Sequence, residues 1–370
     1  MDGAAWPTTQ PKRATAKLCE KTNPTRCSAV LLKRIVSATD KIGQKAAMTI
    51  ATQQTAQSRI ITVGGGKGGV GKSIVALNLA AAFAQDGYRV VIADMDLGAA
   101  NQHILLGLRN PAVGLQALLD KSVNEAKSCL TETQVPNLRL LAGTSGTLGA
   151  ANITGAQKIL LLRKLRALEA DIVVVDVGAG VGYDVLDFFD LGVLKLIVTT
   201  PQVTALHDAY AFLKSAAMRL LSHIAEEDID AALLEPATLS TGAQKVVDKL
   251  AHLRETRPEL ADKVFTELGR FGACMVGNQV FKDADTGVFA AVAQTIRNYL
   301  GLNVPVLGWL RASAVVHESV NSRRPLVLDN KTKESAAFHS LAQRLLSALP
   351  AEDRDLGIVE DVAIDEPSAA

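Results

Sequence analysis

Aromatic side chains make up only 4% of this 370-residue chain. That is too few for the stacking platforms on which single-stranded nucleic acid is held. Cysteine is scarcer still. The four thiols, Cys19, Cys27, Cys129 and Cys274, form no C-x-x-C pair, which argues against a zinc ribbon or a cluster scaffold. Isolated thiols suit a reducing, cytoplasmic setting. No apolar run reaches the roughly 18 residues that span a bilayer, and the N-terminus lacks the apolar core of a secretory signal. An overall excess of charge is also missing: 39 Lys and Arg face 38 Asp and Glu, a net +1. Nothing global therefore draws the chain to nucleic acid or to an acidic ligand.

The charge is uneven along the chain. The first stretch is basic, with Lys12, Arg13, Lys17, Lys21, Arg26, Lys33, Arg34, Lys41, Lys45 and Arg59 against Asp2, Glu20 and Asp40. The last is acidic, carrying Glu352, Asp353, Asp355, Glu360, Asp361, Asp365 and Glu366. Residues 1–58 and 351–370 read as solvated, disordered extensions. The first is also where a nonspecific DNA-binding arm would sit, and Met48 stands where a domain start would fall.

Between these ends, short β-branched runs alternate with helical patterns. "RIITV" (59–63), "YRVVIADMD" (88–96), "NLRLLAG" (137–143), "ADIVVVDVGAG" (170–180), "LKLIVTTP" (194–201), "GACMVGNQV" (272–280) and "VPVLGWL" (304–310) read as strands. Several are apolar on both faces, as strands of a covered parallel sheet are. The expectation is an α/β domain over 59–350 with a mostly parallel, doubly wound sheet. Residues 222–270 are too long for a simple crossover and read as a helical insertion on the rim of the sheet.

The chemistry is concentrated after the first strand. Gly66, Lys67, Gly68, Gly69, Val70, Gly71, Lys72 and Ser73 satisfy G-x-x-x-x-G-K-[ST] in full, between a strand and the helix 72–87. Backbone N–H groups of such a loop, through Ile74, close on phosphate oxygens at a helix N-terminus. Lys72 would reach the β- and γ-phosphates of ATP, and Ser73 would ligate Mg²⁺. Asp176, ending an apolar strand, is placed to hold the metal. Asp94 and Asp96 end the neighbouring strand. One would orient the attacking water and the other would support the metal. Gly178 or Gly180 in "DVGAG" would approach the γ-phosphate and shift on hydrolysis. His103, His207, His317 and Ser145 lack catalytic or metal spacing and read as structural.

"KGGVGKS" resembles the deviant Walker A of the MinD/ParA class of dimerising ATPases, a SIMIBI-class P-loop NTPase family. The resemblance implies that Lys67 crosses an ATP-dependent homodimer interface to the partner's phosphates. It also implies that Asn278, ending the sixth strand, recognises adenine. "DMDLGAANQHILLGL" (94–108), "LAGTSG" (141–146), "VVVDVGAGVGYDVLDFF" and "VTTPQVTALHDAYAFLKS" (198–215) are similar to the FlhG/FleN branch, which sets flagellar number and position. That implies an ATP-hydrolysing switch with a regulatory partner, a flagellar GTPase or regulator. The runners-up are a DNA-partitioning ATPase and an iron–sulfur carrier of the Mrp kind. Helix 334–349, with Phe338, Leu341, Leu345, Leu346 and Leu349 on one face, reads as packed on the sheet rather than on a membrane, because the tail after it is acidic.

Overall fold

The computed structural model describes residues 58–109, 111, 113–144, 153–227 and 246–349. The basic and acidic ends, Ser145 and the "EPATLSTG" stretch of the insertion lie outside the described residues.

The strands are β1 (Arg59–Gly64), β2 (Val90–Met95), β3 (Leu130–Glu132), β4 (Leu138–Leu141), β5 (Ile172–Val177), β6 (Leu194–Thr199), β7 (Ala273–Val280) and β8 (Val306–Arg311). They form one sheet in the order β3-β4-β2-β5-β1-β6-β7-β8. Every neighbouring pair is parallel except β3–β4. The sequence reading missed β3. It is a three-residue, partly exposed edge strand, and it carries no apolar run to announce it.

The strands alternate between two apolar clusters. Val173, Val175, Val91, Ala93, Ile197 and Met275 join one; Ile172, Val174, Val90, Ile92, Leu196 and Val276 join the other. Side chains on a strand point to opposite faces with period two, so an unbroken apolar strand such as β5 fills both layers. On the second face lies α1 (Lys72–Gln85), almost wholly buried from Val75 to Ala84. It is sandwiched between the sheet and the C-terminal helix Lys333–Ala348, whose Phe338, Leu341 and Leu345 enter the same cluster. Leu349 is buried there too, while Leu346 is partly buried against it.

The opposite layer holds α4 (Gly155–Arg166), α5 (Tyr183–Asp190) and α6 (Val203–Glu227), preceded in the chain by the short helices α2 (Gln102–Leu105) and α3 (Leu115–Leu119). Thr154 opens α4 with a capping box closed by Gln157. Asp187 of α5 is 7% exposed and takes Arg219 of α6 on both oxygens, at 2.7 and 3.2 Å, as well as Lys158 of α4. Burial pushes this carboxyl up, but hydrogen bonds from Arg219 and Lys158 more than offset that and hold it below the usual carboxylate range. The inserted segment adds α7 (Val246–Thr256) and α8 (Pro258–Gly269). Their Val246, Leu250, Leu253, Leu260 and Val264 belong to the cluster that covers the sheet. The described part of the insertion thus extends the helical layer. Arg59, grouped by sequence with the basic end, is the buried first residue of β1. The remaining helices are α9 (Gly287–Leu300), α10 (Ala314–Asn321) and α11 (Lys333–Ala348). No helix among the described residues is long and apolar enough to cross a membrane.

Candidate nucleotide site

The central strand β1 runs straight into the glycine-rich loop, and α1 starts at its end. The loop is wedged tightly into the fold. A Cβ added at Gly66 would lie 2.1 Å from the Asp208 carbonyl oxygen of α6. Gly71 caps α1 at φ 93°, and a Cβ there would meet the Asn278 side-chain nitrogen at 2.2 Å. Only glycine satisfies both the backbone angle and the space at that position. From the end of β7, Asn278 Nδ2 donates to the Val70 carbonyl at 2.8 Å and Gln279 Nε2 donates to the Gly69 carbonyl at 3.0 Å. These bonds tie two loop carbonyls to the sheet. Gln279 is held at φ 54° to do so, a left-handed conformation that costs a side-chain residue about 1–3 kcal/mol.

The two lysines differ sharply. Lys72 is 8% exposed, and its Nζ curls back to the Lys67 carbonyl at 3.3 Å. Burial lowers its pKa, opposed by the Asp176 and Asp96 carboxylates. Lys67 faces outward, donating to Thr204 Oγ1 at 3.1 Å. The neighbouring Val203 is 82% exposed.

The three aspartates also separate. Asp94 and Asp176 are register partners on β2 and β5, and both are buried. Burial raises both pKa values, and for Asp94 the charge of Asp176 adds to the rise. For Asp176, Gln102, the Ser73 hydroxyl and Lys72 pull the other way. Asp94 accepts from the backbone N–H of Asn101 at 2.8 Å, Gln102 at 2.9 Å and Asp96 at 3.3 Å. Its oxygens shape the loop after β2. Asp96 is half-buried and lies beside Gly178, where an added Cβ would meet its Oδ1 at 3.4 Å. Asp176 Oδ2 accepts from Gln102 Nε2 at 2.8 Å, while Oδ1 has no hydrogen-bond partner among the described residues. A free carboxylate oxygen and a serine hydroxyl are the kind of oxygen ligands that would fit a hard, hydrated cation, and the buried Lys72 ammonium would fit a polyphosphate beside it.

A family model for the CobQ/CobB/MinD/ParA nucleotide binding domain matches residues 61–326. The chain belongs to this family. It is a deviant-Walker-A P-loop ATPase of the MinD/ParA superfamily by sequence and fold. The flagellum site-determining protein YlxH of Helicobacter pylori is 35% identical over 159 residues, 42% of this chain and 53% of that protein. The chain thus spans about half the length of that relative. A putative septum site-determining protein MinD of Oltmannsiellopsis viridis is 29% identical over 290 residues, 78% of this chain and 75% of that one. The crystal structure of the cell division ATPase MinD of Pyrococcus furiosus superposes with a TM-score of 0.55 at 23% identity, covering 78% of this chain and 99% of that chain. This last likeness is one of fold.

In this MinD/ParA chain, then, Lys72, Ser73, Asp96, Asp176 and Gly178 gather at one mouth, and Lys67 lies at its outer edge. Asn278 reaches the loop through its amide nitrogen. Sequence reading overlooked Gln102, Gln279 and Thr204. The one signal available for Gln102 was a glutamine opening the apolar turn "QHIL". Its partner, Asp176, is 74 residues away.

Proposed function

We propose that this protein is a nucleotide-operated switch: it binds ATP with Mg²⁺, closes into a homodimer, hydrolyses ATP slowly and returns to the monomer. The observation that carries this reading is the division of labour between the lysines. Lys72 is buried in its own loop, whereas Lys67 reaches out to Thr204, next to Val203 at 82% exposure; Val181 and Tyr183, just past the Gly178–Gly180 turn, are exposed apolar side chains as well, at 50% and 68%. A second copy apposed there would cover those apolar groups and bring its Lys67 to the phosphates held by Lys72, adding charge-assisted hydrogen bonds. Ser73 and Asp176 would hold the Mg²⁺, which neutralises phosphate charge when bound. Asp96, at the mouth and next to Gly178, would orient the attacking water. With Asn278 Nδ2 committed to Val70, the Oδ1 of that amide is left to accept from the exocyclic amine of adenine.

The switch acts as a spatial or number regulator, and we assign it to flagellar placement or number, read by a regulatory partner protein. The similarity to YlxH and the D-x-D-L-G-x-A-N and T-T-P segments support this role. The burial of Phe338, Leu341 and Leu345 of α11 speaks against a membrane cycle through that helix. Sedimentation with ATP and Mg²⁺ tests the switch. The parent should dimerise; Lys67→Ala should stay monomeric while binding nucleotide with under about tenfold loss, on the order of 1.4 kcal/mol. A Lys67→Ala protein that dimerises and turns over normally would remove the reading. Loss of the protein from its host should change flagellar number or position; displaced septa with normal flagella would move the role to division.

A further inference from the structure

Gln102 is fully buried. An amide in that setting is costly unless its atoms are hydrogen-bonded. Both hydrogens of its Nε2 are used, one on Asp176 Oδ2 at 2.8 Å and one on the Ser73 carbonyl at 3.0 Å. One side chain thus joins the loop after β2 to the strand end of β5 and to the first turn of α1. Its backbone N–H is fixed as well, by Asp94.

The acceptor side of the cluster is different. Gln102 Oε1, Asn101 Oδ1 and Asp176 Oδ1 are all buried without a partner; among the described residues only Thr200 Oγ1 shares that condition. Asn101 adds to the oddity. It occupies the N-cap of α2 yet makes no side-chain cap, the task for which asparagine is favoured. Asp94 performs it instead. Three unsatisfied acceptors with no donor among them call for a donor-rich species, and the waters on a divalent cation are one. A strongly hydrated cation such as Mg²⁺ keeps several of its waters when bound, and outer partners of that kind commonly change metal affinity 10–100-fold.

We propose that Gln102 is a positioning residue for the cation site. Its Nε2 locks the Asp176 carboxylate in place, and its Oε1, with Asn101 Oδ1, accepts hydrogen bonds from waters on the cation carried by the nucleotide. This rests on the Mg²⁺–nucleotide reading above and extends it to residues of the 94–102 loop. One consequence is that the loop and the metal stabilise each other, so loss of the cation loosens the loop that carries Asp96.

Calorimetric titration with ADP, in Mg²⁺ and in EDTA, tests this without turnover. The parent should bind more tightly with Mg²⁺. Gln102→Leu should lose about tenfold or more of that Mg²⁺-dependent gain, while its affinity in EDTA stays within about twofold of the parent. Asn101→Ala, a smaller change at a half-buried position, should lose part of the gain and serves if Gln102→Leu does not fold. A merely structural glutamine would weaken binding equally in both buffers. That outcome, or an undiminished Mg²⁺ gain in either folded variant, overturns the proposal and leaves the cation reading intact. A parent that shows no Mg²⁺ gain refutes the cation reading itself, and the proposal falls with it.

Discussion

Two glycines of the same loop, Gly66 and Gly68, should respond very differently to a single methyl group. At Gly66 the added Cβ would stand 2.1 Å from the Asp208 carbonyl oxygen and 2.6 Å from its carbon. Both are backbone atoms inside a 25-residue helix, so no side chain can swing aside. Relief to van der Waals contact needs a shift of about 1 Å between the loop and α6. Overpacking of this kind costs about 1–3 kcal/mol, which for a domain of this size lowers Tm by roughly 2–4 °C per kcal/mol. The loss in binding should be larger than that alone, because a displacement of about 1 Å in a preorganised site can cost about 10²-fold. At Gly68 an added Cβ meets nothing within 4 Å, and its backbone angle is not among the left-handed ones. Calorimetry with ADP and Mg²⁺ on Gly66→Ala and Gly68→Ala, each with a melting curve, gives the comparison. Gly66→Ala should bind at least about 30-fold more weakly, and Gly68→Ala should melt and bind within about twofold of the parent. Near-parent binding by Gly66→Ala would show that the loop does not depend on its seat against α6, and the steric reasoning would fail.

Asp96→Ala should keep ATP binding within a few-fold and slow hydrolysis by about 10²-fold or more, so the ATP dimer accumulates in sedimentation; parent-rate turnover would transfer the role to another group. Asp187→Asn should cost about 1.5–3 kcal/mol at neutral pH, the range for hydrogen bonds to a charged group. Because the folded carboxyl is held below its ordinary range, the parent's advantage is present above the unfolded pKa and is lost as pH falls through the folded one. Denaturant curves for the two proteins should therefore converge only in acid, and a constant gap down to about pH 2 would contradict the ion pairing. Leu345→Ala should destabilise by about 2–5 kcal/mol, since Leu345 is fully buried. Flotation of the parent with anionic vesicles and ATP should recover little protein; strong ATP-dependent flotation would restore a membrane role for α11.

Much of the architecture could be read from the chain because parallel strands write their burial into consecutive residues. β5, "IVVVDV", fills two apolar layers at once, and nothing but a strand covered on both faces needs that run. The phosphate loop was equally plain, since its function depends on local spacing. What stayed hidden depends on distant partners. Asp94 and Asp96 look alike in "DMD", yet one caps a loop in the interior and the other stands at the mouth. Gln102 acquires its meaning only from Asp176 across the sheet edge. The packing of α7 and α8 was not legible because their apolar stripes meet partners far away in the sequence.

The place of β1 has a consequence for how the molecule is made. Its hydrogen-bonded neighbours are β5 and β6, while β2, the next strand to be synthesised, lies beyond β5. The nucleotide-binding strand therefore leaves the ribosome with neither of its flanking partners. Residues 172–177 follow its end by more than a hundred positions, roughly 5–20 s of elongation. Throughout that interval "RIITVG" offers two bare edges, a template for pairing with other chains. The central strand, and with it the glycine loop, is completed late and by non-local contacts, the slow kind. Nascent chains arrested before residue 172 should thus be protease-sensitive through β1 and unable to retain nucleotide.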